Sequence, residues 1–146
     1  MLRAMTEKDR DKFIQLCHEF YHSNAVLNPV PDSYFEETFS VVLEKSPFVD
    51  GYLFEFDNKT VGYVLFSFTY SNEVAGKVLW VEEVYIQPEY QGNGLAKELF
   101  QFIDQEYASK VKRVRLEVSP DNTRVIQLYE RLGFKTLDYI QMAKQY

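Results

Sequence analysis

The 146-residue chain is 46% apolar and 26% charged, with only 6 Gly and 5 Pro, which excludes a disordered or collagen-like polymer and fits a single domain, 1–146, with a continuous core. Its 16 basic and 22 acidic residues leave a formal charge of −6, which argues against a general nucleic-acid grip and favours the attraction of small cations. The single cysteine, Cys17, allows no internal disulfide, and neither a signal-peptide core nor an apolar run of membrane-spanning length occurs, so a cytoplasmic protein without membrane association is expected.

Leu2–Met5 is expected as a short strand, and Thr6 with Asp9 three residues on has the spacing of a helix start. Phe13, Leu16, Cys17, Phe20 and Tyr21 recur at helical spacing and form one apolar stripe. The prolines of Ser23–Pro31 end that helix, and Asp32 opens a second one with Phe35, Phe39, Val42 and Leu43 on its stripe. Gly51–Phe56, Val61–Tyr70 and Val78–Ile86 are rich in β-formers and are separated by the turn signals Asp57-Asn58 and Ser71–Gly76, which predicts an antiparallel meander. Gly92–Gly94 opens a helix with Leu95, Leu99, Phe102 and Ile103 on one face. Val114, Leu116 and Val118 then alternate with Arg113, Arg115 and Glu117 as a strand. Pro120-Asp121-Asn122 starts a short helix carrying Val125, Leu128, Tyr129 and Leu132, stopped by Gly133, and Leu137–Met142 is expected as a final strand. The order β-α-α-β-β-β-α-β-α-β predicts an α+β fold: a twisted, mostly antiparallel mixed sheet with one parallel pair, flanked by about four helices.

Two segments could carry chemistry. Gln91-Gly92-Asn93-Gly94-Leu95-Ala96 is a glycine turn between a strand and a helix, where unpaired first-turn amides and the helix dipole suit a phosphate or pyrophosphate. It is not the dinucleotide fingerprint, whose third small residue is Lys97 here, and no Walker tripeptide occurs. A tight turn without a ligand is the other reading of the same residues. In the second segment Tyr129 stands two helical turns past Asn122 and just ahead of Gly133-Phe134, a spacing that equally fits a core aromatic.

Together and in this order, the two segments resemble the GNAT superfamily of acyl-CoA-dependent N-acetyltransferases, over essentially the whole chain. Gln91, Gly92, Gly94 and Ala96 match the fixed positions of that family's pyrophosphate loop, and Asn122, Tyr129, Gly133 and Phe134 match its downstream element. Phe68-Thr-Tyr70, Gly76-Lys77, Glu82-Glu83 and Ile86 look most like the diamine and polyamine acetyltransferases. The resemblance implies that acetyl-CoA is a cosubstrate, with its pyrophosphate on the amides of Gln91, Gly92, Asn93, Gly94, Leu95 and Ala96. It also implies that the fourth strand splays from the fifth, usually with a bulge, so that the main chain of Val84, Tyr85 and Ile86 receives the pantetheine arm. By the same likeness Asn122 would contact the pantetheine or order the cleft, and Tyr129 would protonate the departing thiolate. Lys97 would be a distant contact of the coenzyme's 3′-phosphate. No metal is implied, and small members often pair as homodimers.

An alkylamine near neutral pH is mostly ammonium, so a base is needed. Glu82 and Glu83 are adjacent acids in an otherwise apolar run, Glu82 being the first choice and Glu83 the second, with strict alternation putting only one of them toward a cleft. Ion pairs with Arg113 or Arg115 are the structural alternative. The resemblance places the acceptor, favoured as a small cationic amine or polyamine and alternatively an amino acid or protein amine, against Ser23–Pro31 with Tyr21, Tyr34 and Phe35. Two rivals of other classes remain. His18-Glu19-Phe20-Tyr21-His22 matches the zinc-hydrolase pattern, although the stripe of its helix leaves His18 and His22 on the polar side, as solvated residues. The other is a non-catalytic acyl-CoA-binding module.

Overall fold

Five strands pair in the order β1 (Leu2–Ala4), β2 (Val49–Phe56), β3 (Lys59–Ser71), β4 (Gly76–Ile86) and β5 (Arg113–Leu116) in the computed structural model, which describes residues 1–23, 26 and 28–146. The first three pairings are antiparallel and the last, Val78–Val81 against Arg113–Leu116, is parallel, as the strand–helix–strand crossover predicts. Asp57 and Asn58 sit at φ 49° and 60°, the left-handed pair that a two-residue hairpin turn requires between β2 and β3.

Helices α1 (Arg10–Tyr21) and α2 (Asp32–Leu43) cover one face of the sheet; α3 (Leu95–Tyr107) and α4 (Thr123–Arg131) lie on the other. Alternation along β3 sorts the core: Tyr63 and Leu65 join Phe13, Leu16, Cys17, Phe35 and Phe39 on the first face. Val64 and Phe66 join Leu95, Leu99, Phe100 and Ile103 on the second. The stripe of α3 is broader than the sequence suggests, because Phe100 and Tyr107 are buried while Phe102 is half-buried.

Thr6 does mark a start. Its amide and hydroxyl both donate to Asp9 Oδ2 at 2.8 Å, closing a 3-10 turn ahead of α1. Arg3 grips the same carboxylate through two N–H groups at 2.8 Å and reaches Glu55 at 2.9 Å, so one guanidinium ties β1, this turn and β2. Its hydrogen bonds pull the Asp9 carboxyl from 3.8 to about 2.

Two expectations fail. Leu137–Met142 forms no strand: it carries a strand-like pattern, but its backbone finds no ladder partner, and Tyr139, Ile140 and Met142 are 65, 93 and 95% exposed. Likewise β5 ends at Leu116, leaving Val118 outside.

The strict alternation assumed at Glu82-Glu83 fails as well. Leu65 pairs with Glu83 and Phe66 with Val81, so Glu82 is the extra residue of a β-bulge. The bulge reverses the parity of β4: Val81 and then Val84 and Ile86 meet the α3 core, while Tyr85 packs toward α1. From Glu82 to Ile86, β4 runs past the end of β5, and among the described residues no strand pairs with that edge.

Candidate active site

After β4, a 3-10 turn (Pro88–Tyr90) leads into the glycine loop. Gln91 Nε2 donates to the Ile86 carbonyl at 2.9 Å and Asn93 Nδ2 to the Tyr90 carbonyl at 3.0 Å, so side chains clamp the loop to the strand it leaves. Gly92 and Gly94 adopt φ 82° and 84°, a conformation that disfavours any residue with a Cβ, and the space before both is open. None of the amides from Gly92 to Ala96 donates to a backbone oxygen among the described residues. Buried Leu95 anchors the first turn of α3. The result is a row of unsatisfied N–H groups at a helix N-terminus, beside the free edge of β4, which is suited to a diphosphate.

The bulge turns both carboxylates toward the α1/α2 side. Glu82 is exposed and accepts from Ser67 Oγ, on the residue opposite Trp80. Glu83 is half-buried and accepts from the hydroxyls of Tyr21 and Tyr63, the latter at 2.8 Å. Neither pairs with an arginine. Glu83 closes a cavity of about 150 Å³ whose walls include Cys17, Tyr21, Tyr34, Phe35 and Leu65. The structure thus gathers Tyr21, Tyr34 and Phe35, the residues that the family likeness assigns to the acceptor, around one acid. Of Ser23–Pro31, Val30 lines it, whereas Asn24, Ala25 and Leu27 lie outside the described residues. Burial pushes both tyrosine hydroxyls well above the phenol range, so they act as donors to Glu83. Burial also pushes the Cys17 thiol up to about 12, which removes it as a nucleophile. A larger open cleft of about 340 Å³, between Lys12, Lys59 and Tyr90, contains neither acid.

On the other face, Tyr129 projects from α4 onto Phe100 and Phe134, with ring centroids 5.7 and 5.8 Å away. Its hydroxyl has no hydrogen-bond partner among the described residues, and burial raises its pKa, so the phenol holds its proton. Asn122 caps α4, its Oδ1 accepting from the Val125 amide at 3.4 Å. Gly133 at φ 92° stops the helix, and the Phe134 amide returns to the Tyr129 carbonyl at 3.0 Å. The spacing of this segment is therefore that of a cap, a ring, a left-handed stop and a second ring against the first. Val84, Tyr85 and Ile86 pair with β3 on one edge only.

Both histidines of the zinc-like pattern have hydrogen-bond partners at the surface, and His22 is exposed. His18 Nε2 meets Asp32 Oδ2 at 2.8 Å, and His22 Nδ1 meets the His18 carbonyl at 2.8 Å. Glu19, between the two histidines, is half-buried and accepts from Gln87 Nε2 at 2.9 Å and Tyr85 Oη at 3.2 Å, fastening α1 to the end of β4.

Sequence reasoning missed Tyr63 and Ser67. Tyr63 reads as one more apolar residue of β3; its hydroxyl, fully buried at 0% exposure, signals a need for a partner without naming it.

The acetyltransferase (GNAT) family model matches residues 11–134. Thialysine N-epsilon-acetyltransferase of Bos taurus is 33% identical over 78 residues, which cover 53% of this chain and 45% of that protein. Spermine/spermidine N(1)-acetyltransferase of Bacillus subtilis is 29% identical over 84 residues, 55% of each. The chain thus matches about half the length of these curated relatives. An integron cassette protein from a salt-marsh metagenome superposes with a TM-score of 0.83 at 21% identity, over 99% of this chain and 89% of that one, a likeness of fold. No described helix is long and apolar enough to cross a membrane.

Proposed function

Because the chain belongs to the acetyltransferase (GNAT) family, we propose that it transfers an acetyl group from acetyl-CoA to a primary alkylamine by direct attack within a ternary complex. The observation that carries this reading is the run of undonated amides from Gly92 to Ala96 at the start of α3, continuous with the unpaired edge of β4. These groups fit the diphosphate and the extended arm of such a thioester. The names of the relatives give a compatible acceptor chemistry, since thialysine, spermine and spermidine all carry a terminal alkylammonium.

In this reading the amides of 92–96 bind the diphosphate, and the main chain of Val84, Tyr85 and Ile86 aligns the arm. A backbone N–H on that edge stabilises the developing oxyanion. Glu83, held by Tyr21 and Tyr63, draws the ammonium into the aromatic-walled cavity by charge and cation–π attraction. Glu82 takes the proton, directly or through water. The freed nitrogen lone pair forms the amide bond as the carbon–sulfur bond breaks, and Tyr129 gives its proton to the departing thiolate. Asn122 keeps α4, and with it Tyr129, in place.

Free-thiol release from acetyl-CoA with a panel of amines tests the reading. Amine-dependent release is expected. Binding of acetyl-CoA with no release on any amine would favour the non-catalytic module instead.

A further inference from the structure

The two arginines of β5 both lie within the field of Glu73, but only one of them is bonded to it. Arg113 Nη1 donates to Glu73 Oε2 at 2.7 Å. Arg115 makes no ion pair among the described residues; its guanidinium carbon stands 4.1 Å from the centroid of the Trp80 ring. Register places Trp80 between Arg115 on β5 and Ser67 on β3, and Ser67 donates to Glu82. One face of the sheet therefore carries, in order, a guanidinium, an indole, a hydroxyl and two carboxylates. Strand spacing and rise put the Arg115 and Glu82 backbones about 8 Å apart on the diagonal, of the order of a lysine chain from carboxylate to terminal nitrogen.

A guanidinium held over an indole, with no hydrogen bond to any described residue, has its N–H donors available to a planar acid. With carboxylates at the other end, the surface has the charge pattern of a zwitterion's complement. A diamine of equal length would bring its second ammonium against Arg115, which is repulsive. We propose that Arg115, supported by Trp80, is a carboxylate subsite, and that the acceptor is an amino acid whose reacting amine ends an unbranched chain. This rests on the acetyl-transfer reading above and narrows its acceptor.

The test compares 6-aminohexanoate, 6-aminohexanamide and 1,6-diaminohexane with acetyl-CoA, read by thiol release, in the full chain and in Arg115→Met and Arg115→Lys. The unaltered protein should favour the acid over the amide by about 10- to 100-fold in kcat/KM, with the diamine lowest. In Arg115→Met the acid-to-amide ratio should fall to about one, through KM, and Arg115→Lys should restore only part of it. Turnover with no preference for the acid, preference for the diamine, or equal losses on acid and amide in Arg115→Met overturns the subsite alone. The comparison among substrates in the unaltered protein needs no variant to fold. Absence of thiol release with every amine overturns the transfer reading and the subsite with it.

Discussion

Tyr129 combines two properties that a proton donor needs. Burial against Phe100 and Phe134 keeps its phenol protonated, and no protein acceptor holds its hydroxyl among the described residues. Removing only the oxygen leaves that packing intact. Tyr129→Phe should lower kcat by about 10²- to 10⁴-fold with little change in acetyl-CoA affinity, measured by steady-state rates beside calorimetric binding. An unchanged kcat would leave the ring as packing alone. Glu82 and Glu83 show how far a residue's setting divides identical chemistry. One is exposed beside a serine; the other closes a cavity under two phenols.

At the scale of elements, the proposed role of the glycine loop is carried by its backbone. The left-handed φ of Gly94 allows α3 to begin with its amides turned toward open space. A β-branched residue there is strained by about 1–2 kcal/mol and places methyl groups where a diphosphate would lie. Gly94→Val should therefore abolish acetyl-CoA binding while the far-ultraviolet circular dichroism stays that of the folded protein; retained binding would reduce the loop to a turn. The bulge at Glu82 is the second device at this scale. A single extra residue brings both acids to one face and changes which side chains β4 sends to each core.

At the scale of the whole molecule, the Arg3 clamp joins the first strand, the turn before α1 and the β2 edge around nearly buried Asp9. The folded-state pKa of Asp9 is depressed from 3.8 to about 2, so its stabilisation is present above pH 4 and is lost as pH falls through that interval. Asp9→Asn should cost about 2 kcal/mol of unfolding free energy at neutral pH, the gap to the unaltered protein closing on acidification. Urea titrations at several pH values check this, and a gap independent of pH would show that the charge is not what stabilises the turn.

Local patterns by themselves determined the helices, the meander, the parallel crossover, the glycine loop and the cap-to-stop spacing of α4. Each of these depends on residues close in sequence, through periodicity, turn conformation or capping. Tertiary structure decided the rest. Whether Leu137–Met142 forms a strand depends on a partner edge, and a pattern cannot supply one. The family likeness implies a bulge in β4, but only the pairing with β3 places it at Glu82, so the shared face of Glu82 and Glu83 was hidden in a sequence that alternation alone would divide. The Tyr21–Glu83–Tyr63 contact and the stacking of Arg115 on Trp80 join residues from separate elements. Nothing in either partner's neighbourhood names the other, because long-range contacts are selected by packing and register.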